Sequence, residues 1–212
     1  MSTPVEDAAE FWDAHYGGSE RIWSGNPNGI LVAEVSELKP GTALDVGCGE
    51  GADAVWLAQR GWSVTAVDVS RTALERARQL AKKAGVGESI DWQHHDLAHT
   101  FPTGTYDLVS AQYLHAPIEF PRDRVLQAAA SAVAPGGCLL VVGHAAAPSW
   151  AQDHGDHHSF PTADETARAI GLDGSEWSLV EREVRERGTI SPSGEPATVK
   201  DSIVKAIRGG TS

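Results

Sequence analysis

Short apolar runs alternate along the chain with stretches of helical period. TALDVG (42–47), WSVTAVD (62–68), SIDWQ (89–93), YDLVSAQ (106–112) and CLLVVGH (138–144) read as strands. The last is apolar almost throughout, as a strand buried on both faces must be. GADAVWLAQRG (51–61) reads as a helix that Gly61 ends. Ser70 caps a second helix, whose Leu74, Ala77, Ala81 and Ala84 share one face and which Gly85 ends. RDRVLQAAASAVA (122–134) reads as a third, stopped by Pro135-Gly136-Gly137. Strand–helix alternation of this kind predicts an α/β domain with a parallel sheet.

Beyond the fifth strand the pattern loosens. AAAPSWAQDHGDHHSFP (145–161) predicts a long irregular connection, a length that is usually functional or mobile in a compact domain. TADETARAIG (162–171) predicts a short helix. WSLVEREVRER and ATVKDSIVKAIR flank the turn-rich GTISPSGEP and predict an exposed hairpin. Val199, Ile203 and Ile207 would also line one face of a helix, but the Ser-Gly-Pro turn favours strands.

Charge narrows the choice of partner. The 212 residues carry 29 Asp and Glu against 17 Lys and Arg, a formal net charge of −12. That balance opposes a phosphate-rich partner, so neither nucleic acid nor a membrane surface is expected. No run reaches the ~18 apolar residues of a membrane helix. The N-terminus is acidic and lacks the basic start of a signal peptide. Cys48 and Cys138 have no CxxC partner and fit reduced thiols in a cytoplasmic protein. Nothing in the sequence chooses between monomer and homodimer.

The sharpest chemical signal is LDVGCGEGA, a strand entering a glycine turn that opens a helix. Gly47, Gly49 and Gly51 permit a tight turn and close backbone approach, and the helix start behind them offers free N–H groups. A nucleoside or nucleotide suits such a loop at the carboxyl end of a strand. Read as GxGxxA, with Asp68 following 21 residues after Gly47, the loop also passes for a dinucleotide fingerprint. Asp45 tilts the choice away from that guest. An acid beside the loop would face the phosphates of a dinucleotide, whereas it can receive the ammonium of an amino-acid moiety.

The run ALDVGCGEGADAVWLAQRGWSVTAVDVS resembles the first two motifs of class I S-adenosylmethionine-dependent methyltransferases. IDWQHHDLAHTFP, YDLVSAQYLH and VAPGGCLLVVGH resemble later motifs of that class, in the same order. The resemblance implies a doubly wound, mostly parallel seven-stranded sheet of order 3-2-1-4-5-7-6 with strand 7 antiparallel and helices on both faces. It also implies S-adenosylmethionine as cofactor, with S-adenosylhomocysteine as product. By that resemblance the backbone of Gly47, Cys48, Gly49 and Gly51 cradles the methionine and ribose, with Asp45 reaching the ammonium. Asp68 takes the ribose hydroxyls, Val69 and Leu97 flank the adenine, Asp96 accepts from its amino group, and Ala111 and Gln112 floor the methyl site. A turn-capping role is the alternative for Asp96.

The segment FWDAHYGGSERIWSGNPNGIL is similar to the N-terminal cap of small-molecule methyltransferases of the tellurite-resistance and thiopurine type. This implies one domain over 1–212, with a helical cap over 1–40 and a Rossmann-like core over 41–212. Trp23 is expected to close over the cofactor or substrate, unless Trp12, Tyr16 and Trp23 merely anchor the cap. The implied activity is in-line methyl transfer to a small acceptor, either a soft S, Se or Te nucleophile or an N or O atom. An RNA or protein methyltransferase and a non-catalytic binding module are the alternatives. A soft nucleophile needs no base, whereas a hydroxyl or protonated amine does. His115 and His144, at the ends of the fourth and fifth strands, are the candidate bases or substrate contacts, because imidazole titrates near neutrality. Strand-end structural roles are the alternative for each. His154, His157 and His158 offer a possible metal cluster, but they lack a recognised ligand spacing. No metal is expected.

Overall fold

The computed structural model describes residues 8–19, 22–148, 160–191 and 193–210. Its centre is a seven-stranded sheet of β1 (Thr42–Val46), β2 (Ser63–Asp68), β3 (Ile90–His94), β4 (Tyr106–Gln112), β5 (Val133–His144), β6 (Trp177–Ile190) and β7 (Pro196–Arg208). Their spatial order is β3-β2-β1-β4-β5-β7-β6. The first five pair in parallel, and β7 runs antiparallel to both β5 and β6. This is the topology that the motif order implies.

Strand alternation sends side chains to two cores. Leu44, Val46, Val109, Ala111, Leu139 and Val141 meet α5 (Arg122–Ser131) and α6 (Ala163–Ile170) on one face. Ala43, Ala66, Leu108, Leu140, Val142 and Ile203 meet α2 (Gly29–Val35), α3 (Ala52–Gln59) and α4 (Arg71–Ala84) on the other. An additional helix, α1 (Ala8–Gly17), packs on α4. Helix ends follow the expected chemistry. Ser70 accepts from Ala73 N at 3.0 Å to cap α4, and Gly85 ends that helix in the left-handed region.

One stretch differs from expectation. α5 stops at Ser131, and the strand begins at Val133, taking in the Pro135-Gly136-Gly137 run read as a helix stop. Tyr106 pairs with Val133 and Leu108 with Cys138, so residues 134–137 bulge out opposite Asp107. Gly136, at φ 80°, supplies the left-handed turn that lets β5 resume pairing. The hairpin is strand throughout, with Trp177 to Ile190 paired against Arg208 to Pro196. Residues 149–159, which include His154, His157 and His158, lie outside the described residues. Among the described residues no helix is long and apolar enough to cross a membrane.

Candidate active site

The carboxyl ends of β1, β2, β4 and β5 open into one cavity of about 660 Å³, a size usual for small-molecule sites. One wall is the glycine loop. Gly47 and Cys48 both donate their N–H to Val67 O at 2.9 Å, folding the loop back over β2. Gly49 N donates to Asp68 Oδ2 at 2.8 Å, and Ser70 N donates to Oδ1 at 2.9 Å. Each oxygen of Asp68 is thereby fixed while keeping room for another donor. Burial raises the Asp68 carboxyl above its usual range, against the pull of these backbone donors. Gly51, at φ 81°, turns the loop into α3, where a Cβ would stand 2.7 Å from Ala77 Cβ and 2.6 Å from Trp92 Cη2. Cys48 lines the cavity, and burial pushes its thiol up, out of thiolate chemistry.

Asp45 is 2% exposed, and its Oδ2 has no hydrogen-bond partner among the described residues. Alternation on β1 turns it towards α3, where Asp53 also borders the cavity. Burial, then the charges of Asp53 and Asp68, pushes the Asp45 carboxyl well up. Burial likewise lifts Asp53 to about 6, against the hydrogen bond it accepts from Asn28 N at 2.6 Å. A buried carboxylate group with an open acceptor is a receptor for a cation. The linkage sign follows from the upward shifts. Charging these acids opposes folding above the unfolded value near 4, and the penalty disappears below it, where both states are protonated. Asp45→Asn should therefore raise the apo melting midpoint at pH 8 by about 2–4 °C, the shift that ~1 kcal/mol gives at this size. Thermal unfolding at pH ~3, below the unfolded value, should show the difference gone.

The floor is a hydrogen-bonded chain. Asn28, the N-cap of α2, accepts from Ile30 N at 2.9 Å and donates from Nδ2 to Gln112 Oε1 at 2.8 Å. Gln112 Nε2 donates to Ser110 Oγ at 2.8 Å. The roof comes from the N-terminal segment. Trp12, Tyr16 and Trp23 line the cavity, and Trp23 Nε1 donates to Tyr16 Oη at 3.2 Å. Trp23 is 53% exposed, so it anchors little core and faces solvent over the loop. Its backbone N–H is held by Glu50 Oε2 at 3.0 Å, and Glu50 pairs with Arg76 at 2.8 Å.

Val69, Asp96, Leu97 and Gln112 also border the cavity. Asp96 closes its own turn, taking Ala98 N at 2.9 Å on Oδ1 and His99 Nδ1 at 2.8 Å on Oδ2. The capping role and a place on the wall therefore coexist. Ala111 departs from expectation. It is fully buried against α5 and α6, because alternation puts it on the face opposite Ser110 and Gln112.

The two histidines are both at the mouth but have different partners. His115 Nε2 accepts the backbone N–H of His144 at 3.2 Å. Burial, with Arg122 and His144 nearby, pushes His115 down to about 4, so its ring is neutral and its Nε2 is engaged. His144 lies directly across the β5–β7 register from Asp201, with Nδ1 3.7 Å from Oδ1. Asp201 is fully buried, its Oδ2 takes Arg187 Nε, and Arg187 Nη2 donates to Tyr113 Oη at 3.1 Å. Tyr113, Arg187, Asp201 and Asp53 were not singled out by motif. Asp201 left one trace, an acid between Val199 and Ile203 at an inward strand position.

Among the described residues no group of three His, Cys, Asp or Glu side chains is placed to hold a metal.

Residues 43–137 match a family model described as a methyltransferase domain. The ribosomal RNA small subunit methyltransferase C of Chromohalobacter salexigens is 36% identical over 131 residues, which are 58% of this chain and 38% of that protein. The chain spans 36 to 43% of the length of the first curated relatives it matches. A solved structure described as conversion of a disulfide bond into a thioacetal group during echinomycin biosynthesis superposes with a TM-score of 0.73 at 27% identity, covering 96% of this chain and 94% of that one. TehB from Haemophilus influenzae superposes at 0.66 and 16% identity, over 94% and 66%, a likeness of fold alone.

The residues present fit S-adenosylmethionine. An orphaned buried carboxylate oxygen on Asp45 suits an ammonium, paired acceptor positions on Asp68 suit a ribose diol, and a Cβ at Gly49 would stand 3.0 Å from Tyr16 Oη on the cavity wall. Residues 43–137 thus resemble a methyltransferase domain in sequence, within a seven-stranded sheet of order β3-β2-β1-β4-β5-β7-β6.

Proposed function

We propose that the protein is an S-adenosylmethionine-dependent methyltransferase acting on a small-molecule acceptor in the cytoplasm, with residues 1–40 capping a core over 41–212. The observation that carries this reading is one continuous cavity, which runs from Asp45, Asp68 and the glycine loop to Tyr113, His115, His144 and Arg187 under Trp12 and Trp23. One end has the donors and acceptors of a cofactor site. The other adds Leu114, Ile118 and Phe120, an apolar mouth of small-molecule dimensions.

S-adenosylmethionine supplies an activated methyl group on a sulfonium. The chain's part is to hold, align and dry. Asp68 would accept the two ribose hydroxyls, Asp45 would face the ammonium, and Val69 and Leu97 would bracket the adenine. Gln112, held through Asn28, would keep the floor fixed beneath the methyl group, and the Trp12–Trp23 roof would exclude water. Alignment at near-attack distance supplies most of the acceleration such a reaction needs.

Likeness to the tellurite-resistance type supports a soft acceptor only through the cap sequence and the fold. An RNA acceptor is the second reading, favoured by the ribosomal RNA relative and opposed by the charge of −12. Calorimetry with S-adenosylhomocysteine should give a one-site heat, and a screen of phenols, amines, thiols and metalloid anions should yield that product from S-adenosylmethionine. No heat with either cofactor form overturns the proposal. Turnover confined to RNA, with salt-sensitive binding, replaces it with the second reading.

A further inference from the structure

The mouth of the cavity holds a group of side chains that cofactor binding does not use: Tyr113, His115, His144, Asp201 and Arg187, with Phe160 behind. Their arrangement sorts the two histidines. His115 already spends Nε2 on the His144 backbone. His144 does not. Its Nδ1 and the facing Oδ1 of Asp201 are both buried, 3.7 Å apart, and neither has a hydrogen-bond partner among the described residues. Catalytic hydrogen bonds are often this long before the ligand arrives and shorten in the complex. A small shift of the ring satisfies both orphans at once, fixes the proton on Nδ1, and leaves Nε2 as the acceptor.

Asp201 is built to stay in place and charged. It sits opposite His144 in the β5–β7 ladder, and Arg187 holds its other oxygen. Burial pulls its carboxyl up, but His144, Arg187 and Tyr113 around it outweigh burial and hold it below the usual range. The His144 ring is clamped as well. Tyr113 lies over it with centroids 4.6 Å apart, and Phe160 meets it edge-on at 6.1 Å and 90°. Tyr113 is the one non-glycine residue with positive φ among the described residues, at 50°. Such strain is kept where surrounding structure fixes a side chain for use. Tyr113 Oη is tied to Arg187, and burial, then the Asp201 charge, pushes its phenol up to about 12. It is no competing base. The charged and titratable groups facing His144 are thus Asp201 and Arg187 from the hairpin, Tyr113 and His115 from the segment after β4, and Arg122 of α5 beyond His115.

We infer that His144, oriented by Asp201, is a general base, and that the acceptor is an aromatic compound methylated on an ionisable hydroxyl. The inference rests on the methyltransferase reading above and gives it an acceptor class. The acceptor's O–H bond breaks with its proton going to His144 Nε2. The electron pair left on oxygen forms the new bond to the methyl carbon, and the old carbon–sulfur bonding pair stays on sulfur. Imidazolium forms facing the Asp201 carboxylate, which stabilises it. Tyr113, Leu114, Ile118 and Phe120 line this end of the cavity and suit a flat aromatic ring. Asp201 acts through His144 and is a positioning residue.

The test needs no natural acceptor. With S-adenosylhomocysteine filling the cofactor half, 4-nitrophenol is titrated into the protein and its phenolate absorbance followed against pH. The bound probe should ionise at least tenfold more readily than the free one, a midpoint lower by about one pH unit or more. His144→Gln should return the midpoint to that of the free probe while the calorimetric affinity for S-adenosylhomocysteine stays unchanged. Asp201→Asn should lose most of the shift with the probe still bound, a change that a merely structural role would not produce. A probe that binds without a shift, fails to bind, or keeps its shift in His144→Gln overturns the base. No heat with S-adenosylhomocysteine in the unaltered protein overturns the methyltransferase reading and the base with it.

Discussion

Asp68→Ala is expected to weaken S-adenosylmethionine binding about 10²–10³-fold. Two charge-assisted hydrogen bonds to the ribose would be lost, each worth ~1.5–3 kcal/mol, and 1.4 kcal/mol is tenfold in affinity. Part of the loss has a second origin. Asp68 also holds Gly49 N and Ser70 N, one on each oxygen. Truncation leaves both donors unpaired beside a site where Asp68 itself is only 8% exposed, so the glycine loop keeps only its backbone ties to Val67 of β2. Asparagine does not rescue it, since one of its two terminal atoms is an NH₂ that would confront a backbone N–H. Calorimetry with S-adenosylhomocysteine separates the outcomes. A loss below tenfold in both variants would show that the ribose is held elsewhere.

The second large effect is on the fold. Gly51→Ala should lower the melting midpoint by about 10 °C, from ~3–4 kcal/mol in a chain of this length. Two costs add. A residue with a Cβ at φ 81° sits in the left-handed region, at ~1–2 kcal/mol. The new methyl would also lie 2.7 Å from Ala77 Cβ and 2.6 Å from Trp92 Cη2, an overpacking cost of ~1–3 kcal/mol. Neither neighbour is a flexible chain end that can swing away. Differential scanning calorimetry of the apo protein measures this, and a midpoint within 2 °C of the parent would mean that α3 can move off α4.

How much of this was legible before any coordinates differs by element. β1 and β2 declare themselves because each is an apolar run closed by a glycine or helix-cap signal, and β4 and β5 by the apolar run itself. Their motif residues followed, since Asp68 and the loop lie within 22 positions of one another. The Pro135-Gly136-Gly137 run misled because the same residues that end a helix also make a bulge, and only the pairing of Tyr106 with Val133 decides which. Ala111 shows the limit of assigning a floor by motif position, as one step along a strand reverses the face. The mouth was the least legible part. His144 and Asp201 are 57 positions apart, and what joins them is the antiparallel register, which no local pattern encodes. His115 and His144 looked equivalent as strand-end imidazoles, and what distinguishes them is a backbone N–H 3.2 Å from the one and a buried carboxylate 3.7 Å from the other.

The chain of bonds through Asp53, Asn28, Gln112 and Ser110 has a consequence for evolving or redesigning this protein. One residue, Asn28, starts α2, restrains an acid of the cofactor wall and sets the rotamer of the floor amide. A floor substitution that reshapes acceptor choice therefore also changes how well a helix begins. Single steps at Gln112 would be filtered by folding before catalysis could favour them, so new acceptors are reached more readily by changing the mouth, where Leu114, Ile118 and Phe120 carry no such second duty in that chain.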